Sequence, residues 1–520
     1  MGRQLTPLDG SFLRAETPNA HMHVGWSGLF RARQGRSGQT LERLRNSIAC
    51  RLQYAPRFRQ RLAFPPLGLG EPFWVDDPRF DISRHVTRLA RPRERVSRTR
   101  FERMTDQVLS EPLDRSRPLW HVYLVPRLED GSVGLVCKMH HAMVDGKSAV
   151  ELGLLLFDTD PDASPPPADD WRPEPEPGRA RLAFEAVADQ AQLPLGAARM
   201  ATRMAAAPRD TAARGMNALG RVAAAVREDV LKPAPASYVN VPIGPERTLV
   251  RHRVPLDQAL QAKDAAGVKL NDVCLAAVAG AMRELAIRRD EEPKPLKAMV
   301  PVSTRQDDEQ ADLGNRISFV FVDLPLNLPS ALGRLRRVAE ATRAFKLSGR
   351  ASGGELVMGA LGYLPGLLKN QAARLAGSAR VYNLTVSNIP GPRFPVYMLG
   401  AELEEAYPVV PLSEDHALSV GMFSYRDSIF FGCYAHPAAF PEATDELPAA
   451  LDDQFRALST LPARGALGLF ERTSNGDKAP DDSADHAPGG PRPKGSEIAA
   501  GRRRRPQAGP RREAPELKLV

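Results

Sequence analysis

Apolar positions recur along the chain in two rhythms. The run Gly134-Leu135-Val136-Cys137-Lys138-Met139 reads as a strand, whereas Leu41 to Tyr54 and Arg100 to Ser110 place their apolar residues at helical spacing. The same mixture returns later: the spacing predicts a helix from Asp272 to Ile287 and strands over Lys297 to Val302 and Ile317 to Leu324. Ala417 to Ala435 predicts a hairpin in which LSVGMFSY and IFFGCYA flank the polar turn Arg426-Asp427-Ser428. Helical and extended segments interleave in both parts of the chain, so the fold class is mixed α/β.

Between those parts the composition shifts. The stretch from Asp160 to Pro177 is acidic and rich in proline, which excludes regular structure and marks a surface connection. Ala180 to Val230 follows, rich in Ala, Arg and Leu, and suits one or two amphipathic helices. Residues 156–240 therefore read as a crossover between an N-terminal half, 1–155, and a C-terminal half, 241–470. Within the latter, Ala351 to Ser378 carries leucines broken by Gly and Pro, which fits either a packing helix pair or an amphipathic surface leaning on a membrane.

The 520 residues are enough for two domains, and 42% hydrophobic with 26% charged residues excludes wholesale disorder. The formal charge is +9, from 71 Lys and Arg against 62 Asp and Glu. Its position matters more than its size, because the last 31 residues alone carry a net +6, with Arg502 to Arg505, Arg511 and Arg512 among Gly, Pro and Ala. Residues 471–520 thus read as a disordered Arg-rich tail. An anionic membrane surface suits those charges; nucleic acid is not an expected partner, because no aromatic residues interleave with them.

Cys50, Cys137, Cys274 and Cys433 are too dispersed for a disulfide scaffold or a thiolate metal site, and they fit a reducing, cytoplasmic setting. No run of 18 apolar residues is present, so any membrane contact is expected to be peripheral. Patterns for nucleotide-binding glycine loops and for zinc proteases are absent as well, and the expectation is that no metal or cofactor takes part.

One segment carries chemistry. In Lys138-Met139-His140-His141-Ala142-Met143-Val144-Asp145-Gly146 an apolar strand ends in two histidines, a turn follows, and a helix is expected from near Asp145 to Phe157. Singly, Asp145 suits a helix N-cap, Gly146 suits close packing, and either histidine suits a bonded core position. Together they leave two costly polar rings at the end of an apolar strand. A neutral imidazole accepts a proton from a hydroxyl as that oxygen attacks a carbonyl, and returns it to the leaving group. Adjacent strand residues face opposite ways, so one ring is expected to face the reacting centre. No GxSxG elbow accompanies the histidines, which makes direct transfer the simplest mechanism.

HHxxxDG and its surroundings closely resemble the signature of the wax ester synthase/acyl-CoA:diacylglycerol acyltransferase family, a branch of the chloramphenicol acetyltransferase-like CoA-dependent acyltransferases. The likeness runs from Leu5 to about Phe470. It includes Leu5-Thr6-Pro7-Leu8-Asp9-Gly10-Ser11-Phe12-Leu13, Glu16-Thr17-Pro18 through His23-Val24-Gly25, Arg117-Pro118-Leu119-Trp120 and Asn271-Asp272. Val300-Pro301-Val302-Ser303-Thr304-Arg305, Gly314-Asn315-Arg316 and Ser387-Asn388-Ile389-Pro390-Gly391-Pro392 follow in the family's order. The chain departs from it at His416-Ala417-Leu418-Ser419.

The resemblance implies two acetyltransferase-like α/β halves with a reaction channel between them. It implies transfer of a long-chain acyl group from acyl-CoA, a co-substrate, to diacylglycerol or a fatty alcohol; the competing reading is a non-catalytic coat of lipid inclusions with the same fold. By the resemblance His141 is the base, His140 and Gly146 shape the turn, and Asp145 pairs with an arginine, for which Arg305 is the candidate. Asn271 and Asp272 support the site, and Ser387 or Asn388 lies near the thioester, where a donor would stabilise an oxyanion. A cytoplasmic protein at the membrane or inclusion surface is implied; oligomeric state is left open.

Overall fold

Nine consecutive buried residues, Ser132–His140, form the interior strand of the first sheet, which is why that run is apolar on both of its faces. In the computed structural model, residues 3–31, 40–68, 70–143, 153, 155–188, 232–303, 317–348, 366–441 and 443–462 are described. Across the first six-stranded sheet the order is Tyr397–Met398, Ala401–Val409, His23–Arg31, Ser132–His140, Trp120–Val125 and Val86–Arg88. All neighbours are antiparallel except the last pair.

The second six-stranded sheet runs Ile317–Leu324, Leu296–Ser303, Leu384–Pro390, Leu418–Tyr425, Ser428–Ala435 and Thr248–Pro255. Leu384–Pro390 pairs in parallel with both of its neighbours. Leu418–Tyr425 and Ser428–Ala435 form the expected hairpin, with Tyr425 opposite Ser428 and Arg426 at φ 53° in the turn. The helices, too, fall where the periodicity predicts, over Leu41–Arg51, Arg98–Ser110 and Leu270–Arg288.

The division into halves needs one correction. Tyr397–Met398 and Ala401–Val409 belong by sequence to 241–470, yet they pair into the first sheet, against His23–Arg31. Alternation along a segment shows that it is a strand but not which strand lies beside it. The crossing is made possible by Gly432, opposite Gly421 in the hairpin: a Cβ on Gly432 would lie 1.9 Å from the Pro408 carbonyl oxygen. Elsewhere Asp106 binds the halves together, accepting from the Leu249 amide and the Thr248 hydroxyl, each at 3.0 Å.

Residues 163–178 form no helix or strand, as their prolines require, and ion pairs fasten this connection to the first half. Arg59 meets Asp169 at 2.5 Å, and Arg61 meets Glu176 at 2.6 Å. Helix Leu270–Arg288 is apolar because Asp272 through Met282 are all buried, against helices Ala331–Ser348 and Ala443–Ser459. Among the described residues no single helix is long and apolar enough to cross a membrane. Of the helix expected from Asp145 to Phe157 only the end is described, helical at Gly153, Leu155 and Leu156, with the Phe157 amide donating to the Gly153 carbonyl at 2.8 Å; the rest of it, most of Ala180 to Val230, the first part of Ala351 to Ser378 and the tail 471–520 lie outside the described residues.

Candidate active site

The site is built on helix Pro7–Ala15. Thr6 caps it, its hydroxyl oxygen accepting from the Asp9 amide at 3.1 Å, and Pro7 occupies the first turn where no amide hydrogen is needed. Arg14 anchors the helix to Glu71 at 2.6 Å, and the helix packs between the His141–Met143 turn and helix Gly366–Ala376 of the second half.

Two of its residues, four apart and so on one side of the helix end, each meet one histidine. Phe12 stacks on the His141 ring with centroids 3.7 Å apart and planes inclined by 16°. Glu16, the residue that ends the helix, places Oε2 3.2 Å from Nε2 of His140.

The two histidines sit in different settings, His140 at the strand end and His141 in the turn. His140 is the last strand residue, directly opposite His23, and its amide donates to the Leu119 carbonyl at 2.9 Å. Its Nδ1 accepts from the Ala142 amide at 3.0 Å. His141 opens a short 3-10 turn, and its amide donates to the Met22 carbonyl at 2.9 Å. Its ring Nδ1 is buried and makes no hydrogen bond to another described residue. Burial pushes the His141 imidazole down to about 4, opposed by its own main chain and reinforced by His140. The ring is therefore neutral at physiological pH.

Charge is tightly arranged on the His140 side. Burial would raise the Glu16 carboxyl, but His140 and then Arg115, which also donates to it, hold it below the ordinary carboxylate range. Burial drives His23 well below the usual imidazole value, with Lys138 next in effect. Lys138 is buried as well and donates to the carbonyls of Val108 at 2.5 Å and Glu111 at 2.8 Å, at the end of helix Arg98–Ser110. A cation suits that helix end, though burial still lowers Lys138 to about 8.

The second-half candidates form a separate group. Asn388 Nδ2 donates to Asn271 Oδ1 at 3.2 Å. Ser387 is half-buried beside it on strand Leu384–Pro390, and its hydroxyl makes no hydrogen bond to another described residue. Asp272 is architectural: it accepts from the Lys269 amide at 3.0 Å and the Thr342 hydroxyl at 2.8 Å, capping the helix that carries Asn271. Asp145, Gly146 and Arg305 lie outside the described residues, and so does any Asp145–Arg305 pair.

Phe12, Glu16, Arg115 and the Met22 carbonyl were not singled out by motif reasoning. The four-residue spacing of Phe12 and Glu16 is visible in the chain, but their ring partners more than a hundred residues away are not. Burial raises the Cys137 thiol far above its ordinary value and pushes Cys274 and Cys433 up to about 12, so none of these is a thiolate nucleophile. His416, where the chain departs from the family pattern, is a buried brace whose two ring nitrogens lie 2.9 Å from the Glu414 carbonyl and 3.0 Å from that of Tyr382.

This arrangement, two α/β halves with a neutral histidine at the end of a buried strand, is that of a CoA-dependent acyltransferase. Residues 5–274 match the wax ester synthase/diacylglycerol acyltransferase catalytic domain, and residues 313–459 match the C-terminal domain of the same family. The chain belongs to the wax ester synthase/diacylglycerol acyltransferase family, and it is an acyl-CoA-dependent O-acyltransferase. It is 32% identical over 476 residues to the "Probable diacyglycerol O-acyltransferase tgs1" of Mycobacterium tuberculosis, covering 89% of this chain and 99% of the relative. A second relative in that organism, tgs2, is 30% identical over 82% of this chain and 92% of its own length.

Among solved structures, the wax ester synthase/diacylglycerol acyltransferase of Marinobacter aquaeolei is similar at a TM-score of 0.60 and 26% identity. That match covers 88% of this chain and 98% of the other. The first condensation domain of the calcium-dependent antibiotic synthetase shares the fold at a TM-score of 0.56 and 16% identity, over 89% of this chain and 97% of its own.

Proposed function

We propose that this acyltransferase joins a long-chain acyl group from acyl-CoA to the hydroxyl of diacylglycerol or a long-chain alcohol, with His141 as general base. The observation that carries this is the His141 ring itself: neutral, clamped on Phe12, and with Nδ1 shut away so that Nε2 is the atom left to take a proton. The names of the relatives and the family favour these substrates.

In the proposed step, Nε2 of His141 removes the hydroxyl proton as the oxygen adds to the thioester carbonyl. The tetrahedral oxyanion collapses, the carbon–sulfur bond breaks, and the imidazolium returns its proton to the CoA thiolate, leaving ester and CoA. The Ser387 hydroxyl, uncommitted to other described groups, would donate to the oxyanion, with the Asn271–Asn388 pair shaping the wall beside it. The thioester supplies the activated acyl group and histidine the proton transfer, so the reaction needs no metal or further cofactor. Because both acceptors are nearly insoluble, we place the enzyme in the cytoplasm, peripherally on a membrane or lipid-inclusion surface.

The test is an assay of purified protein with palmitoyl-CoA and either diacylglycerol, hexadecanol or no acceptor. Ester formation and CoA release that depend on acceptor, and that vanish in His141→Ala, are expected. Ester formation undiminished in that variant overturns the role of the base, and none with either acceptor overturns the substrate class.

A further inference from the structure

Motif residues leave one half-buried carboxylate beside the histidines without a role. Glu16 stands 3.2 Å from Nε2 of His140, and Arg115 steadies it by donating both to the carboxylate and, at 3.3 Å, to the Leu13 carbonyl. On the far side of the His140 ring, Nδ1 accepts the Ala142 amide at 3.0 Å. An amide hydrogen pointed at Nδ1 requires that nitrogen to be unprotonated, which puts the proton of a neutral ring on Nε2, facing Glu16. His23, directly across the strand pair, makes no hydrogen bond to another described residue through either ring nitrogen.

We infer that Glu16 is a positioning residue for acyl transfer: by accepting the Nε2 proton of His140 it fixes that ring, whose Nδ1 then holds the Ala142 amide and with it the turn bearing His141. Glu16 thus faces the His140 ring from the Nε2 side at 3.2 Å while Nδ1 holds the Ala142 amide, and the helix that supplies Glu16 also supplies Phe12 one turn earlier to clamp His141. Positioning at this scale has kinetic weight, since a displacement of about 1 Å can cost on the order of 100-fold in rate. This inference rests on His141 being the base, but two of its readouts need no turnover.

The experiment compares Glu16→Met, which cannot accept a hydrogen bond in this way, with Glu16→Gln, whose amide oxygen still can. Glu16→Met is expected to lower kcat by about 100-fold with KM for palmitoyl-CoA changed by less than about twofold. It should also speed hydrogen exchange of the Ala142 amide and turn the His140 ring nitrogen-15 signals from a single Nε2–H form into a mixture of tautomers. Glu16→Gln should retain the single form and most of kcat. In a His140→Asn background, Glu16→Met should cost little more, because the two residues act in series.

An unchanged tautomer and unchanged exchange in Glu16→Met overturn the proposal, as does full additivity with His140→Asn or a Glu16→Gln defect as large as that of Glu16→Met. Should Glu16→Met fail to fold, Glu16→Ser is read by the same criteria. If instead His141→Ala retains activity, the base assignment falls while the tautomer and exchange results still judge the link from Glu16 to the turn.

Discussion

Around His141 every support arrives from a distant part of the chain: an aromatic face from Phe12, a carbonyl from Met22, and, through His140, the carbonyl of Leu119 and the carboxylate of Glu16. In the second half, Asn271 and Asn388 satisfy one another, and Asp272 is consumed by capping its own helix and binding Thr342. The first region is a ring with its solvation removed and a nitrogen left unbonded; the second is a set of amides and carboxylates largely paired, with a hydroxyl to spare. Desolvation tunes a titrating group, whereas mutual hydrogen bonding orients neutral ones. On the proposed mechanism, proton transfer belongs to the first region and orientation and charge stabilisation to the second.

The sharpest way to break that assignment is His141→Ala, for which kcat should fall by roughly 10²–10⁴-fold while thermal unfolding stays near wild type. A second-half substitution with a larger kinetic effect would reverse the comparison. Next in size is Ser387→Ala, expected to lower kcat by about 100-fold with little change in KM if its hydroxyl meets the oxyanion. Asn388→Ala, already committed to Asn271, should cost less in the same steady-state assay.

The third effect is in pH. With His141 held near 4, the acid limb of kcat/KM should lie near pH 4. At pH 5 about 90% of such an imidazole is in the basic form, against about 3% for one with an ordinary value of 6.5, a roughly 30-fold difference. The same shift has a signature in stability. Between about 6.5 and 4 the unfolded chain binds a proton at this residue and the folded chain does not, so the stability present above that window declines as pH falls through it. Chemical denaturation across pH 4 to 7, compared between wild type and His141→Ala, isolates that contribution.

The smallest expected effect belongs to Asp272→Ala. Losing the cap and the Thr342 bond should lower stability by about 1–2 kcal/mol, read as a shift of denaturation midpoint, with a kinetic defect well below that of Ser387→Ala. A Ser387-sized loss of kcat without loss of stability would move Asp272 from architecture into chemistry.

Much of this was legible before the structure. Strand Ser132–His140, helix Leu270–Arg288 and the hairpin closed at Arg426 follow from apolar spacing and turn residues, because each reports whether its own side chains are buried on one face or two. What failed to show was pairing. Ala401–Val409 has the pattern of a strand in either sheet, and in the structure it pairs with His23–Arg31 of the first, with glycines at Gly28, Gly421 and Gly432 leaving room for its backbone.

The chain's order of residues by itself determined the α/β class and the motif histidines, since these depend on local periodicity and composition and on short spacings. Tertiary structure alone decided which ring is stripped of solvent, that Phe12 and Glu16 grip one histidine each, and that Asp272 serves its helix while Asn271 meets Asn388. Desolvation and hydrogen bonding depend on what stands within a few ångströms in space, and the partners in Phe12–His141, Glu16–His140 and Asn271–Asn388 lie more than a hundred residues apart in the chain.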